Sequence, residues 1–168
     1  SWLGGASLWM HYMAERGYLI FTLDGRGSKA RGLEFEQAVH RQLGILETKD
    51  QMTGVSHLKS LPYVDSEKMA IHGWSFGGFM TLNLMLREPG TFQVGVAGGA
   101  VTDWRFYEAM YTERYMDEPK DNPDGYEQSR VIGLAGQLEG DLMLVHGTSD
   151  DVVVPQHCMV MLNSFINA

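Results

Sequence analysis

The chain has 168 residues, 44% hydrophobic and 11% aromatic, enough for one sizeable core and one domain. Thirteen basic against 21 acidic residues leave a net charge of −8 with no basic stripe, which argues against nucleic acid as a partner. A lone cysteine, Cys158, excludes an internal disulfide, a cysteine-built zinc cage and a Cys-x-x-Cys redox pair.

No apolar run reaches transmembrane length, so no membrane contact is expected from this segment. The opening Ser1-Trp2-Leu3-Gly4-Gly5 has no Met and no basic region leading into an apolar signal core, and the chain is expected to be a piece of a longer protein. Leu8, Trp9, Tyr12 and Met13 recur at helical spacing and stop at Gly17, a C′ glycine. Residues 18–23 are continuously apolar and β-prone, as expected of a strand covered on both faces. Asp24-Gly25-Arg26-Gly27-Ser28 then forms a loop.

Residues 34–60 have helical spacing with a join near Gly44, and Pro62 ends it. A second strand is expected over 69–74, a helix from Phe76 to Arg87, and a short third strand over 94–99. Residues 103–139 are polar, aromatic and helical in patches, with Pro119 and Pro123 as breaks, and are expected to form an elaborated loop. A fourth strand follows over 142–146, then a loop from Gly147 to Val154. Pro155 opens a last helix running to Asn167. Strands and helices alternating at this spacing imply βαβ units, hence an α/β fold with a parallel sheet and helices on both faces. Asp24, Ser75, Val101 to Asp103, and Asp150 each follow an expected strand, where such sheets gather ligands.

The chemistry centres on Gly73-Trp74-Ser75-Phe76-Gly77-Gly78, a Gly-x-Ser-x-Gly pattern set between an expected strand and helix. At such a turn the serine backbone is strained, and the glycines on either side leave room for strand and helix backbones to approach. Ser75 Oγ is thereby presented as a nucleophile. The Phe76 backbone N–H, at a helix N-terminus, is placed to receive an oxyanion. A serine hydroxyl needs a base oriented by a carboxylate, and in α/β-hydrolases the chain order is Ser, acid, His. The acid is assigned to Asp150, in preference to Asp151, in the loop after His146. Downstream of it there is only His157, seven positions on within an expected helix, too near to serve as base and better read as a surface or structural residue. His72 and His146, on strands, are expected to be core histidines, and His11, His40 and His57 lie on helices upstream. The catalytic histidine is expected to lie outside the chain, C-terminal to Ala168.

Together, the Ser75 motif, Asp24-Gly25-Arg26-Gly27-Ser28 and His146-Gly147-Thr148-Ser149-Asp150-Asp151 resemble the prolyl oligopeptidase family, and within it the dipeptidyl peptidase IV group with its bacterial prolyl tripeptidyl peptidases. The resemblance runs over nearly the whole chain. It implies a partial α/β-hydrolase domain over 1–168, without the first strands or the last strand and helix, and without the family's β-propeller and catalytic-histidine segment. The segment 101–115 is similar to that group's S1 wall, so Val101, Trp104, Tyr107, Tyr111 and Val153 would line an apolar slot for proline. An aromatic run at this spacing, taken alone, is as compatible with core.

The activity so implied is a serine peptidase that removes short N-terminal peptides after proline through an acyl-enzyme, with no metal or organic cofactor. The isolated fragment is then expected to be inactive. Val152 stands where dipeptidyl peptidase IV has an asparagine, which leaves open whether two or three residues are released. The resemblance also implies a periplasmic, secreted or membrane-anchored parent, and an uncovered sheet edge that leaves room for a homodimer. Other readings of the same elbow are an acylaminoacyl peptidase, an esterase, or a non-catalytic module of the hydrolase fold.

Overall fold

The computed structural model describes residues 8–168. In chain order it contains α1 (Leu8–Glu15), α2 (Leu33–Gln37), α3 (Ile45–Lys59), β1 (Ala70–Trp74), α4 (Phe76–Arg87), β2 (Val94–Gly98), α5 (Ala109–Met116), α6 (Pro123–Ser129), β3 (Asp141–Val145) and α7 (Gln156–Ile166). Single 3₁₀ segments cover Trp104–Phe106 and Ile132–Gln137. The three strands form a parallel sheet in the order β1-β2-β3, with Trp74, Gly98 and Val145 in register at its carboxyl edge.

Helix α1 ends as its sequence dictates. Gly17 takes φ +89°, and the Tyr18 N–H reaches back to the Met13 carbonyl at 3.1 Å, closing the helix in a Schellman turn. The strand expected over 18–23 does not form. A strand exists only through ladder hydrogen bonds, and no described strand pairs with this segment. It instead lays Phe21 and Leu23 against α3 at Gly54, where an added Cβ would meet both side chains, and the Gln51 amide donates to the Leu23 carbonyl. Asp24 consequently follows no strand.

The join near Gly44 is a true break. Gly44 adopts φ +86°, and a Cβ there would strike the Phe79 ring, so α3 must begin afresh after a residue without a side chain. Pro123 stands at the end of the non-helical stretch between α5 and α6, where a break is expected. It occupies the first turn of α6, where its missing N–H costs nothing, and Asn122 caps that helix through the Gly125 N–H. Asp103 and Glu108 cap the 3₁₀ turn and α5 in the same way.

Helix α4 is the centre of the core. Phe79, Leu82, Leu84, Met85 and Leu86 are each at most 1% exposed, and burying one such side chain contributes about 1.5–3 kcal/mol. On the α4 face of the sheet, Met85 packs over Gly95, and Leu82 of α4 and Met161 of α7 meet Ala97 and Leu144. Helix α1 lies on the opposite face, with the Trp9 ring 4.5 Å from His72. Helices thus occupy both faces, but His72 is exposed rather than a core histidine.

Candidate active site

Ser75 is the last residue before α4 and sits at φ 56°, ψ −117°, a conformation that a side-chain-bearing residue adopts only at a cost of about 1–3 kcal/mol. The surroundings hold it there. Its N–H donates to the Gly98 carbonyl at 2.9 Å, and its carbonyl accepts from Phe79 N–H at 2.9 Å. A Cβ on Gly73 would collide with the Gly77 backbone, so the strand enters the turn against the helix that leaves it. The second close approach belongs to Gly78, whose Cβ would collide with the Gly98 carbonyl. Gly77 has open space around it. The sequence pattern therefore names the right number of small residues but one wrong position.

As the first residue of α4, Phe76 has an N–H with no intrahelical acceptor, pointing out of the positive end of the helix beside the serine. The Phe76 ring also helps form the cleft, a contribution that the motif does not disclose because it names only the backbone. Ser75, Phe76, Val101, Trp104, Tyr107 and Tyr111 line one open cleft. Trp104 is buried and forms its floor, stacked on Tyr111 at 5.9 Å and met edge-on by Tyr107 at 5.8 Å. Burial raises both phenols, Tyr111 to about 12, so the walls are neutral.

Trp104 owes its position to the charged residue before it. The buried Asp103 carboxylate accepts the Arg105 N–H at 3.0 Å and its Nε at 2.9 Å, and lies 3.3 Å from Arg130 Nε. Arg105 continues to Glu127 at 2.9 Å. Phe79 packs against Trp104 from beneath at 5.2 Å, and the glycine turn at Gly44 abuts Phe79. Val153 does not line the cleft. It is buried under its own loop, with its N–H donated to Asp150 and its carbonyl bonded to His146.

Asp150 lies in the loop leaving β3, and its Oδ1 accepts the backbone N–H groups of Val152 at 3.0 Å and Val153 at 2.9 Å. Those two bonds hold its carboxyl below the usual carboxylate range. Asp151 is exposed. The loop is stapled by His146, half-buried rather than in the core, whose Nε2 is 2.7 Å from the Val153 carbonyl. Because neighbouring strands are spaced by roughly 4.8 Å, the ends of β1 and β3 are about 10 Å apart on one rim. Besides burial, the charges of Glu108 and Asp150 raise the Tyr107 phenol.

His157 is fully buried rather than at the surface, and its Nδ1 is committed to the Thr102 N–H at 3.0 Å. Neither it nor His146 is among the residues lining the cleft. Ala168, beyond which the catalytic histidine is expected, is exposed after the end of α7 and takes no part in the cleft itself. Its methyl group lies on the side of Gly136, where an added Cβ would come within 3.8 Å of it. Among the described residues, no cluster of three or more His, Cys, Asp or Glu has metal-site geometry.

A parallel sheet with a serine on a strained strand-to-helix turn, and a carboxylate after a later strand of the same rim, define the α/β-hydrolase class. Residues 6–167 match the sequence profile of the prolyl oligopeptidase family, and the chain belongs to that family. Among solved structures it is similar to a Bacteroides ovatus protein assigned as a dipeptidyl aminopeptidase IV, at 56% identity and a TM-score of 0.95 over 97% of this chain and 23% of the other. It is also similar to Porphyromonas gingivalis dipeptidyl peptidase 4, at 43% identity and a TM-score of 0.92 over 95% and 23%. An Aspergillus terreus protein assigned as a dipeptidyl-aminopeptidase B is 45% identical over 155 residues, which are 90% of this chain and 17% of that protein. The chain thus spans about a fifth of the length of the relatives it matches.

Proposed function

We propose that the protein containing this chain is a serine exopeptidase that releases short N-terminal peptides after proline, with Ser75 as nucleophile and Asp150 as the acid of its triad. The observation that carries this reading is the convergence of Ser75 with Val101, Trp104, Tyr107 and Tyr111 on one neutral aromatic cleft. A pyrrolidine ring packs well between aromatic faces, and a rigid floor such as Trp104 excludes longer side chains sterically. The names of the similar proteins, dipeptidyl aminopeptidase IV and dipeptidyl peptidase 4, support the same substrate class.

In this reading Ser75 Oγ attacks the carbonyl carbon after proline while its proton passes to an imidazole supplied from outside residues 1–168. The Asp150 carboxylate orients that imidazole and offsets its positive charge. The Phe76 N–H takes up the developing oxyanion. The proton then goes to the leaving amine, and water hydrolyses the acyl-Ser75 ester. Each step uses side chains, main chain and water, so no cofactor is required of this segment.

The test is cleavage of a Gly-Pro chromogenic amide by the complete protein, abolished by Ser75→Ala. A complete, folded protein that leaves Xaa-Pro amides intact, or whose Ser75→Ala variant keeps its activity, refutes the proposal. The chain on its own is expected to be inactive.

A further inference from the structure

Two loops carry the rim of the cleft, and one side chain joins them. The loop after β2 bears Val101 and Trp104, and the loop after β3 bears Asp150 and runs directly into α7. His157, in the first turn of α7, is wholly buried. Its Nδ1 accepts the Thr102 backbone N–H at 3.0 Å, while the Thr102 hydroxyl donates to the His157 carbonyl at 3.1 Å. The Phe106 ring closes over the imidazole edge-on at 5.7 Å. Thr102 lies between two cleft residues, Val101 and Trp104, and the His157 backbone N–H donates to the Val154 carbonyl at the end of the acid loop.

We infer that His157 is a positioning residue that locks the proline-slot wall to the acid loop, so that the slot and the Asp150 carboxylate keep one fixed separation. The inference rests on the proposed peptidase function. A surface or purely space-filling histidine would need no acceptor nitrogen. Here the acceptor is required, because a buried Thr102 N–H without a partner costs free energy. Accepting through Nδ1 fixes the tautomer with the proton on Nε2.

The lock works only with a neutral ring. A proton on Nδ1 would oppose the Thr102 N–H, and that contact would have to open. The environment keeps the ring neutral: burial, the largest cause, and repulsion from His146 lower its pKa to about 4, against weaker pulls from Asp103, the Phe106 backbone and Asp150.

Two substitutions in the complete enzyme test this, with active sites counted by a fluorophosphonate that labels Ser75. His157→Gln supplies a neutral acceptor that does not titrate, whereas His157→Leu supplies none. For a Gly-Pro amide at neutral pH, His157→Gln is expected to keep kcat/KM within about 3-fold, and His157→Leu to lower kcat/KM about 10-fold, with losses in both KM and kcat, the equivalent of one unsatisfied buried donor. As pH falls toward 4, KM is expected to rise in the wild type and to stay flat in His157→Gln. If His157→Leu does not fold, the comparison of wild type with His157→Gln decides.

A folded His157→Leu enzyme with wild-type kcat/KM, or a His157→Gln enzyme whose KM rises in acid like the wild type, overturns the inference. If the wild type labels but does not cleave Xaa-Pro amides, the function is refuted, and the lock is judged by labelling rates at Ser75. Equal rates in all three proteins refute the lock, while slow labelling of His157→Leu alone upholds it. A wild type that does neither refutes both.

Discussion

Glu47 offers a quantitative test of how the floor of the cleft is held. It lies in the first turn of α3, buried, with Oε2 accepting the Gly44 N–H at 2.9 Å on the turn that abuts Phe79. Burial, the largest cause, raises its carboxyl from 4.5 to about 7, with Asp50 adding repulsion. Its own backbone N–H, the Gly44 N–H and Arg26 pull it back only in part. A carboxyl whose folded pKa exceeds its unfolded one contributes stability that is fully present below 4.5 and lost as pH rises through about 7. The interval between those two values corresponds to at most about 3 kcal/mol.

Glu47→Gln keeps an acceptor for Gly44 and removes the titration, so relative to wild type it is expected to gain about 2–3 kcal/mol between pH 5 and pH 8.5. Urea unfolding of both chains at the two pH values measures this. Comparing variant with wild type cancels the titration of every other group, including the oppositely shifted His157. A difference that does not change with pH, or that favours the wild type at pH 8.5, refutes the assignment of a buried, proton-linked Glu47.

Gly78→Ala drives a methyl group into the Gly98 carbonyl and should destabilise the chain by about 3 kcal/mol or more, seen as a lowered urea midpoint, whereas Gly77→Ala, in the helix with open space around it, should be neutral or slightly stabilising. Trp104→Ala removes a buried indole from beneath the cleft and should cost about 3–5 kcal/mol by the same measurement. In the complete protein, Tyr107→Ala should reduce hydrolysis of Xaa-Pro amides much more than hydrolysis of simple esters. Equal losses would favour an esterase.

The elbow was legible in the sequence because it is a local device, with glycines, a serine and the strand and helix on either side all within one short segment. The place of Asp150 was legible for the same reason, since it lies in the short loop that follows a run of strand residues. Residues 18–23 misled because apolar, β-prone composition describes a strand's surroundings, while forming one requires a partner that composition cannot specify. Gly77 was named in place of Gly78 because the close approach is set by β2, nearly twenty residues away in the chain. Val153 was expected in the slot by resemblance, but its backbone bonds to Asp150 and His146 turn it under its own loop. Glu47 was missed as a support, and His157 left open between surface and structural, because a buried polar side chain and a surface one look alike in sequence. The clue available was a Glu three residues after Gly44, at capping-box spacing.

The left-handed backbone at Ser75 also sets two demands on one residue against each other. Glycine adopts such torsions freely, so Ser75→Gly should fold more tightly by about 1 kcal/mol while abolishing the hydroxyl. On the proposed function, screening variants at this position for thermal robustness alone would recover an inert protein.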